Sequence, residues 1–405
     1  MLKNKIMNKR LVGNEKKYIN EVLGNEFRVS SGSKFVSLLE KKLAEQYKAK
    51  FAICFNNGTS TMHAALEAFG IGVNDEVIVP PLTMASTAFV VLQANATPVF
   101  ADIDPETFCI SAESIRSRIT NKTKAIITVA LYGLSPDIDA IKDVIGERDI
   151  KIIEDNAETY LSTYKGRLVG VLGDCSSFSF QSSKHLTSGE GGFVLTDDEK
   201  LANSIRQVQS LGYAGVGAKK AKISKHEIQQ PGYARHICMG WNYRMPELCA
   251  AVALAQVEQS SALVQCRIRS AELLKEVIEK TNCDWLVPQK AVDDYTNSYW
   301  TFACKLTRAD INWVDFRDQF LSFGGGGIYA AWKLTYLEPM FSEMRLLGRE
   351  KFISEKRLAE YKAGLCPNAE SIVNQLMQFK TNFWNLEDAT IEAEALRKTI
   401  EYFDG

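Results

Sequence analysis

The chain has no uninterrupted apolar run of about 18 residues, the length a membrane-crossing helix requires. Its first residues, MLKNKIMNKRLVGNEKK, are charged and contain no apolar leader core. Charge of one sign is not in excess either. With 48 Lys and Arg against 49 Asp and Glu, the formal net charge is -1, so no global field draws in nucleic acid or an anionic membrane, and a phosphate-bearing partner has to be caught locally. Cys54, Cys109, Cys175, Cys238, Cys249, Cys266, Cys283, Cys304 and Cys366 are odd in number and never spaced CxxC. That pattern argues against a zinc site or a disulfide framework and for free thiols in a reducing cytoplasm. An internal repeat, a Walker-type phosphate loop and a metal-binding cluster are all missing.

What is present is a chain of 405 residues, 46% hydrophobic, long enough for a large domain and a smaller one. From Phe51 onward, short apolar runs alternate with helical patterns, the signature of an α/β protein with a mostly parallel sheet. Strands are expected at Phe51 to Phe55, Glu76 to Val79, Thr97 to Ala101, Ala125 to Val129, Lys151 to Glu154, Ser176 to Phe180 and Phe193 to Thr196. Helices are expected at Thr61 to Phe69, Ser86 to Ala94, Ala112 to Ile119 and Asp137 to Ile145. Pro246 to Lys280 reads as one long helix leaving the large domain. The remainder mixes a strand over Ser298 to Leu306 with helices over Trp313 to Phe323 and Ile391 to Phe403, as a smaller α+β domain would. The division is residues 1–250, including an N-terminal helical segment, and 251–405.

Pyridoxal 5′-phosphate (PLP) chemistry needs a lysine for a Schiff base, a carboxylate for the pyridine nitrogen, a phosphate anchor, and contacts to the ring face and 3′-oxygen. Lys184 lies in FSFQSSKHLTSGEGG, just past a strand, flanked by Ser179 and Ser183 and followed by glycines that leave room for a ligand. A lone lysine in a polar loop is ordinarily a solvated charge, so Lys184 gains meaning only from its neighbours. Asp155 closes the apolar run KIIED, where an acid can pair with a pyridinium; alone, it would be a helix cap or a turn residue. Gly58-Thr59-Ser60 follows the strand FAICF and opens a helix, so its amides and hydroxyls converge where an anion would sit.

The segments NNGTSTMHAALEA, DEVIVPPLTMAST, PVFADIDPETF, IIEDNAE, GDCSSFSFQSSKHLTSGEGG and GWNYRMPELCAAVALAQVE, in this order between about Val22 and Glu258, resemble the DegT/DnrJ/EryC1/StrS family of PLP-dependent sugar aminotransferases. The resemblance implies the type I aminotransferase fold, with a large domain built on a seven-stranded sheet and two sites at a homodimer interface. It implies Lys184 as the Schiff-base lysine and Asp155 as the partner of the pyridine nitrogen. Gly58, Thr59, Ser60 and Ser179 would hold the phosphate, with Asn242 reaching in from the second subunit. Met84 stands where the family usually places an aromatic residue on the ring face. Glu158 stands where the family often has Gln, near the 3′-oxygen, so its carboxyl has to be protonated or compensated.

The function implied is transfer of an amino group from an amino acid, glutamate by resemblance, to a keto-sugar, typically nucleotide-linked, through the pyridoxamine (PMP) form. Family dehydratases carry His in place of the lysine; here Lys184 is present and His185 follows it. A cyclitol aminotransferase and a non-catalytic PLP-binding regulator are the other readings, though no helix-turn-helix is visible for the latter. Lys219, Lys220, Lys222 and Lys225 would either meet a diphosphate or form a solvated loop. Tyr329, Trp332 and Tyr336, after the glycine run FGGGG, would either stack on a sugar or pack in a core. His63 reads as a helix-face residue rather than a base. Of Arg308, Arg317, Arg345, Arg349, Arg357 and Arg397, none lies in a recognisable carboxylate clamp.

Overall fold

The computed structural model describes residues 9–11, 13–27, 34–221, 223–290 and 292–405. Its frame is a seven-stranded sheet of β1 (Phe51–Phe55), β2 (Glu76–Val79), β3 (Thr97–Phe100), β4 (Thr123–Val129), β5 (Lys151–Asp155), β6 (Cys175–Ser179) and β7 (Gly192–Thr196), in the order β1-β7-β6-β5-β4-β2-β3. Strands β2 to β6 pair in parallel, and β7 runs antiparallel to both β1 and β6. The expected mostly parallel α/β architecture is the one observed.

Side-chain alternation along the strands explains why their sequences read as continuous apolar runs. Val77, Val79, Ile127, Val129 and Ile153 point into one core, while Ile78, Ile126 and Ile152 point into another on the opposite face. Met62 and Leu66 of the Gly58–Ala68 helix and Val90 and Val91 of the Ser86–Gln93 helix cover the first face. Ile115, Ile141 and Val144 cover the second. Each such buried aliphatic side chain stabilises the fold by about 1.5–3 kcal/mol.

Several boundaries depart from the sequence reading; the strand expected over Ser298 to Leu306, for one, begins three residues later, at Thr301. The first helix begins at Gly58, not Thr61, because the Asn57 side chain caps it by accepting from the Ser60 N–H at 2.8 Å. Gly58-Thr59-Ser60 is therefore the helix's first turn. The single helix expected over Pro246 to Lys280 is two, Glu247–Glu258 and Ser260–Lys280, hinged at Gln259, whose φ of -109° and ψ of 9° are not helical. Ala250, Ala253, Leu254 and Val257 of the first pack with Val22, Phe35, Leu39 and Leu43 of the N-terminal helices Glu15–Gly24 and Lys34–Tyr47. Ala271, Leu274 and Ile278 of the second join a different core. The last helix spans Leu386–Asp404, opening at an Asn385 cap that accepts from the Asp388 N–H.

The C-terminal part carries a four-stranded antiparallel sheet of Leu286–Pro288, Thr301–Leu306, Leu376–Lys380 and Tyr329–Ala330, in that spatial order. Its core draws on Phe302, Phe316, Phe379, Leu396 and Ile400. Residues 334–372 instead lie back against the large sheet: Tyr336, Phe341 and Tyr361 enter the β2–β4 core, and Arg357 pairs with Glu76 at 2.8 Å. Among the described residues, no helix is long and apolar enough to cross a membrane.

Candidate active site

The carboxyl ends of β1, β4, β5 and β6 converge on one place, where open α/β sheets bind ligands. At the end of β1, the first-turn amides of Gly58 and Thr59 have no carbonyl partner within their helix. Gly58 lies against β6: a Cβ there would stand 3.1 Å from Ser179 Cβ. Gly192 is pressed harder still, since a Cβ would meet Phe178 O at 2.6 Å and the Asn57 carbonyl carbon at 2.8 Å. Glycine at both positions lets β7, β6 and the turn after β1 close up, which puts Ser179 beside Gly58. Ser60 is turned away: its Oγ donates to Asn56 Oδ1 at 2.7 Å and its N–H to Asn57.

Asp155 is the last residue of β5 and is buried. Its Oδ2 accepts from Thr87 Oγ1 at 2.8 Å and its Oδ1 from the Ala157 N–H at 3.1 Å. A turn follows rather than a helix, so Asp155 is no helix cap. Burial raises its carboxyl pKa, while Thr87, Ala157 and the nearby Lys184 pull it back down. Glu158, three residues on, is also buried; its Oε2 accepts from the Tyr132 N–H at 3.1 Å and its Oε1 lies 3.5 Å from Lys184 Nζ. Burial raises Glu158 as well, and the neighbouring Asp155 adds to the rise against the pull of Lys184. Lys184 Nζ thus forms an ion pair with Glu158.

Lys184 itself is 13% exposed in its side chain, with Nζ 4.1 Å from the centre of the Trp300 ring. The Trp300 Nε1–H donates to Ser183 O at 3.0 Å, so the ring under the amine is tied to the same loop. His185 points the other way: it is buried with Nε2 2.9 Å from Ser298 O, and burial holds its pKa well below the ordinary histidine value.

Lys184, Asp155, Glu158, Gly58, Thr59 and Ser179 are thus gathered at one end of the sheet. Met84 is 56% exposed, three residues before Thr87. Asn242 is exposed, in an extended segment paired with Ser210. His63 is a packing residue, buried against Trp241 with Nδ1 2.9 Å from Tyr243 Oη. Tyr336 belongs to the core and bonds Glu370, whereas Tyr329 and Trp332 remain accessible, Trp332 with its ring 6.1 Å from Trp300. Lys219 pairs with Glu199 and Lys220 with Glu227, a solvated loop's arrangement; Lys222 and the Lys225 side chain lie outside the described residues.

Sequence reasoning missed Thr87, Trp300 and Arg267. Thr87 carried a weak signal, as a hydroxyl at the start of an apolar helix. Trp300 and Arg267 carried none.

The donor set fits PLP. Amides at a helix start and a serine suit a phosphate, a buried acid suits a protonated ring nitrogen, and an enclosed amine suits the carbonyl carbon.

Residues 9–381 match the DegT/DnrJ/EryC1/StrS aminotransferase family. The chain is 38% identical over 291 residues, 72% of its length and 74% of the relative's, to the GDP-perosamine synthase of Escherichia coli O157:H7. Among solved structures, the aminotransferase from Psychrobacter cryohalolentis superposes with a TM-score of 0.86 at 24% identity, covering 100% of both chains. The E. coli GDP-4-keto-6-deoxy-D-mannose-3-dehydratase with bound hydrated PLP superposes with a TM-score of 0.80 at 22% identity, covering 99% of this chain and 100% of that one. With the family matched over most of its length and the Lys184 site assembled at the sheet's carboxyl end, this chain belongs to the DegT/DnrJ/EryC1/StrS aminotransferase family and is a PLP-dependent aminotransferase.

Proposed function

We propose that the enzyme transfers an amino group from glutamate to a keto-sugar, most simply a nucleotide-linked one, using PLP held by Lys184 and passing through the PMP form. The observation that carries this reading is the Lys184 amine, enclosed between Glu158 at 3.5 Å and Trp300 at 4.1 Å with Asp155 alongside. When bound, the cofactor supplies an electron-poor ring that withdraws electrons from the amine-bearing carbon of the substrate. Lys184 Nζ carries the proton between that carbon and its new position. Asp155 keeps a proton on the ring nitrogen, and Thr87 fixes the orientation of its carboxylate. Gly58, Thr59 and Ser179 hold the phosphate, joined by Asn242 of a second subunit. Trp300 walls one side of the Lys184 amine from water.

The arginines of the C-terminal part offer no carboxylate clamp for a keto-acid acceptor, but the glutamate donor presents its carboxylates to the same site, so the aromatic faces and the relative carry more of the case for a sugar. Arg308 is bonded to Asp310 and Asp404, Arg317 to Asp318, Arg345 to Glu343, Arg349 to Leu92 O, Arg357 to Glu76 and Glu360, and Arg397 to Glu394 and Glu401. Each has a partner away from Lys184, while Trp332 and Tyr329 offer accessible aromatic faces for a sugar. The GDP-perosamine synthase relative supports a nucleotide-linked acceptor. The dehydratase reading stands behind, because Lys184 occupies the position at which the family's dehydratases carry His. Nine free cysteines support a reducing cytoplasm as the setting.

The test is a half-reaction. Glutamate converts the enzyme to the PMP form, acceptors are added, and return of the visible band of lysine-bound cofactor is followed. Return with nucleotide-linked keto-sugars is expected. Return with pyruvate or oxaloacetate, and with no keto-sugar, free or nucleotide-linked, refutes the assignment.

A further inference from the structure

Arg267, on the Ser260–Lys280 helix, is 2% exposed and ranks among the largest fully buried side chains of the chain. Among the described residues, no carboxylate pairs with it; the charged group it feels is another cation, Arg10, and burial together with Arg10 lowers its pKa to about 9. A buried guanidinium without an acid is costly and persists only where hydrogen-bond acceptors replace water. Here Nη1 donates to Trp300 O at 2.8 Å and Thr381 Oγ1 at 3.2 Å, and Nη2 to Ser183 O at 2.8 Å and Lys184 O at 3.1 Å.

These acceptors are not an arbitrary set. Two are the carbonyls of Lys184 and the residue before it. The third belongs to Trp300, whose ring lies under Lys184 Nζ and whose Nε1–H returns to Ser183 O. The fourth, Thr381, directly follows the strand Leu376–Lys380 of the C-terminal sheet. The planar fork of one side chain therefore joins the Lys184 loop, the backbone of Trp300, whose ring lies against the Lys184 amine, and the C-terminal sheet, a geometry an ammonium cannot reproduce. Arg10 grips the same loop from the N-terminal segment, donating to Ser182 O and Lys184 O, with the Trp384 ring 5.4 Å from Arg10 Cζ and 5.7 Å from Arg267 Cζ.

We propose that Arg267 is a positioning residue: by clamping Ser183, Lys184, Trp300 and Thr381 together it fixes the Lys184 amine against Trp300 and Glu158, so that the C-terminal sheet and the Lys184 loop move as one body. The inference rests on Lys184 being the cofactor-bearing lysine, and borohydride reduction followed by peptide mass spectrometry checks that point separately by locating the fixed cofactor.

The charged and titratable groups around the Lys184 loop are Asp155 and Glu158 from the β5 side, His185 on the loop itself, and Arg10 and Arg267 behind it. The test compares PLP-loaded wild type, Arg267→Met and Arg267→Lys by three readings: melting, the pH midpoint of the visible band of lysine-bound cofactor, and steady-state kinetics. Losing the cation behind the loop favours the protonated form, so the midpoint of Arg267→Met rises by about 0.5 unit or more. Its kcat falls roughly tenfold or more through misplacement of the amine, with KM for glutamate little changed. A purely structural role would lower the melting point and leave the midpoint where it is, and that result overturns the proposal. Should Arg267→Met fail to fold, Arg267→Lys decides: it keeps the charge and loses the fork, so a folded variant with kcat down roughly tenfold supports the clamp. Wild-type kcat in that variant refutes it.

Discussion

Lys184→Ala, in the cofactor-free protein, removes the cation next to two buried carboxyl groups, and its effect on stability depends on pH with a definite sign. In the wild type, Glu158 and Asp155 are both held above the ordinary carboxyl pKa by burial, and Lys184, 3.5 Å from Glu158, offsets part of that rise. Without Lys184 the folded-state values climb further. A carboxyl raised in the folded state contributes stability that is fully present below its unfolded pKa and is lost as the pH rises through the folded one. The deficit of Lys184→Ala against wild type should therefore be small near pH 5 and grow toward pH 8. Each additional proton bound by the folded state sets a slope of about 1.4 kcal/mol per pH unit. The ceiling is the cost of stranding one partner of a buried pair, about 3–5 kcal/mol. Denaturant titrations of wild type, Lys184→Ala and Lys184→Ala/Glu158→Gln from pH 5 to 8.5 measure it. The double variant keeps an acceptor for the Tyr132 N–H and loses the charge, so most of its pH-dependent deficit should vanish. A deficit that is flat with pH, that grows on acidification, or that is the same in the double variant at pH 8 would refute this account of the site's electrostatics.

Asn242→Ala should weaken PLP retention, and mixing it with Lys184→Ala should restore part of the activity through hybrid dimers; a fully active monomer at micromolar concentration contradicts the shared site. Met84→Tyr should leave PLP affinity unchanged or raise it, and Met84→Ala should lower it, because the larger face makes more contact with a ring. Equal affinities in both variants, measured by fluorescence titration of the apo-protein, would place Met84 away from the cofactor.

The parts of this molecule that were legible in the sequence are those whose cause is local. Strands β2, β4 and β5 are apolar on both faces because cores lie on both sides of the sheet, and such runs announce themselves. The helix starts at Gly58, three residues before its expected start, because apolar periodicity marks where a helix packs, while the Asn57 cap sets where it begins. Asn385 is a similar signal: its side chain caps a last helix that starts at Leu386, five residues before the expected Ile391. The break at Gln259 is not local: the helix changes partners there, from the N-terminal helices to the C-terminal core. The site divides in the same way. Lys184, Asp155 and the Gly58 turn sit in short motifs at strand ends, but Thr87 meets Asp155 across 68 residues and Arg267 meets Lys184 across 83, contacts that only the assembled fold creates.

The assembled site has an electrostatic polarity that no one motif displays. At one end, the Gly58–Ala68 helix directs its positive dipole end and first-turn amides toward the space beside Ser179. At the other end, Asp155 and Glu158 place two carboxyl groups on the β5 side, each above its ordinary pKa through burial. The field thus favours an anion at the β1 end and a cation at the β5 end, with the Lys184 amine near the latter. A phosphate ester linked to a protonated aromatic nitrogen has this polarity along its own length, and reversing it would set phosphate against two acids. Burial of Asp155 and Glu158 is unfavourable for the empty protein, which makes their position intelligible through a ligand rather than through folding. Hydrogen bonds from Thr87 to Asp155 and from the Tyr132 N–H to Glu158 offset part of that cost. Under the proposed function, phosphate at the β1 end and ring nitrogen at Asp155 is the cofactor orientation that this separation of charge favours.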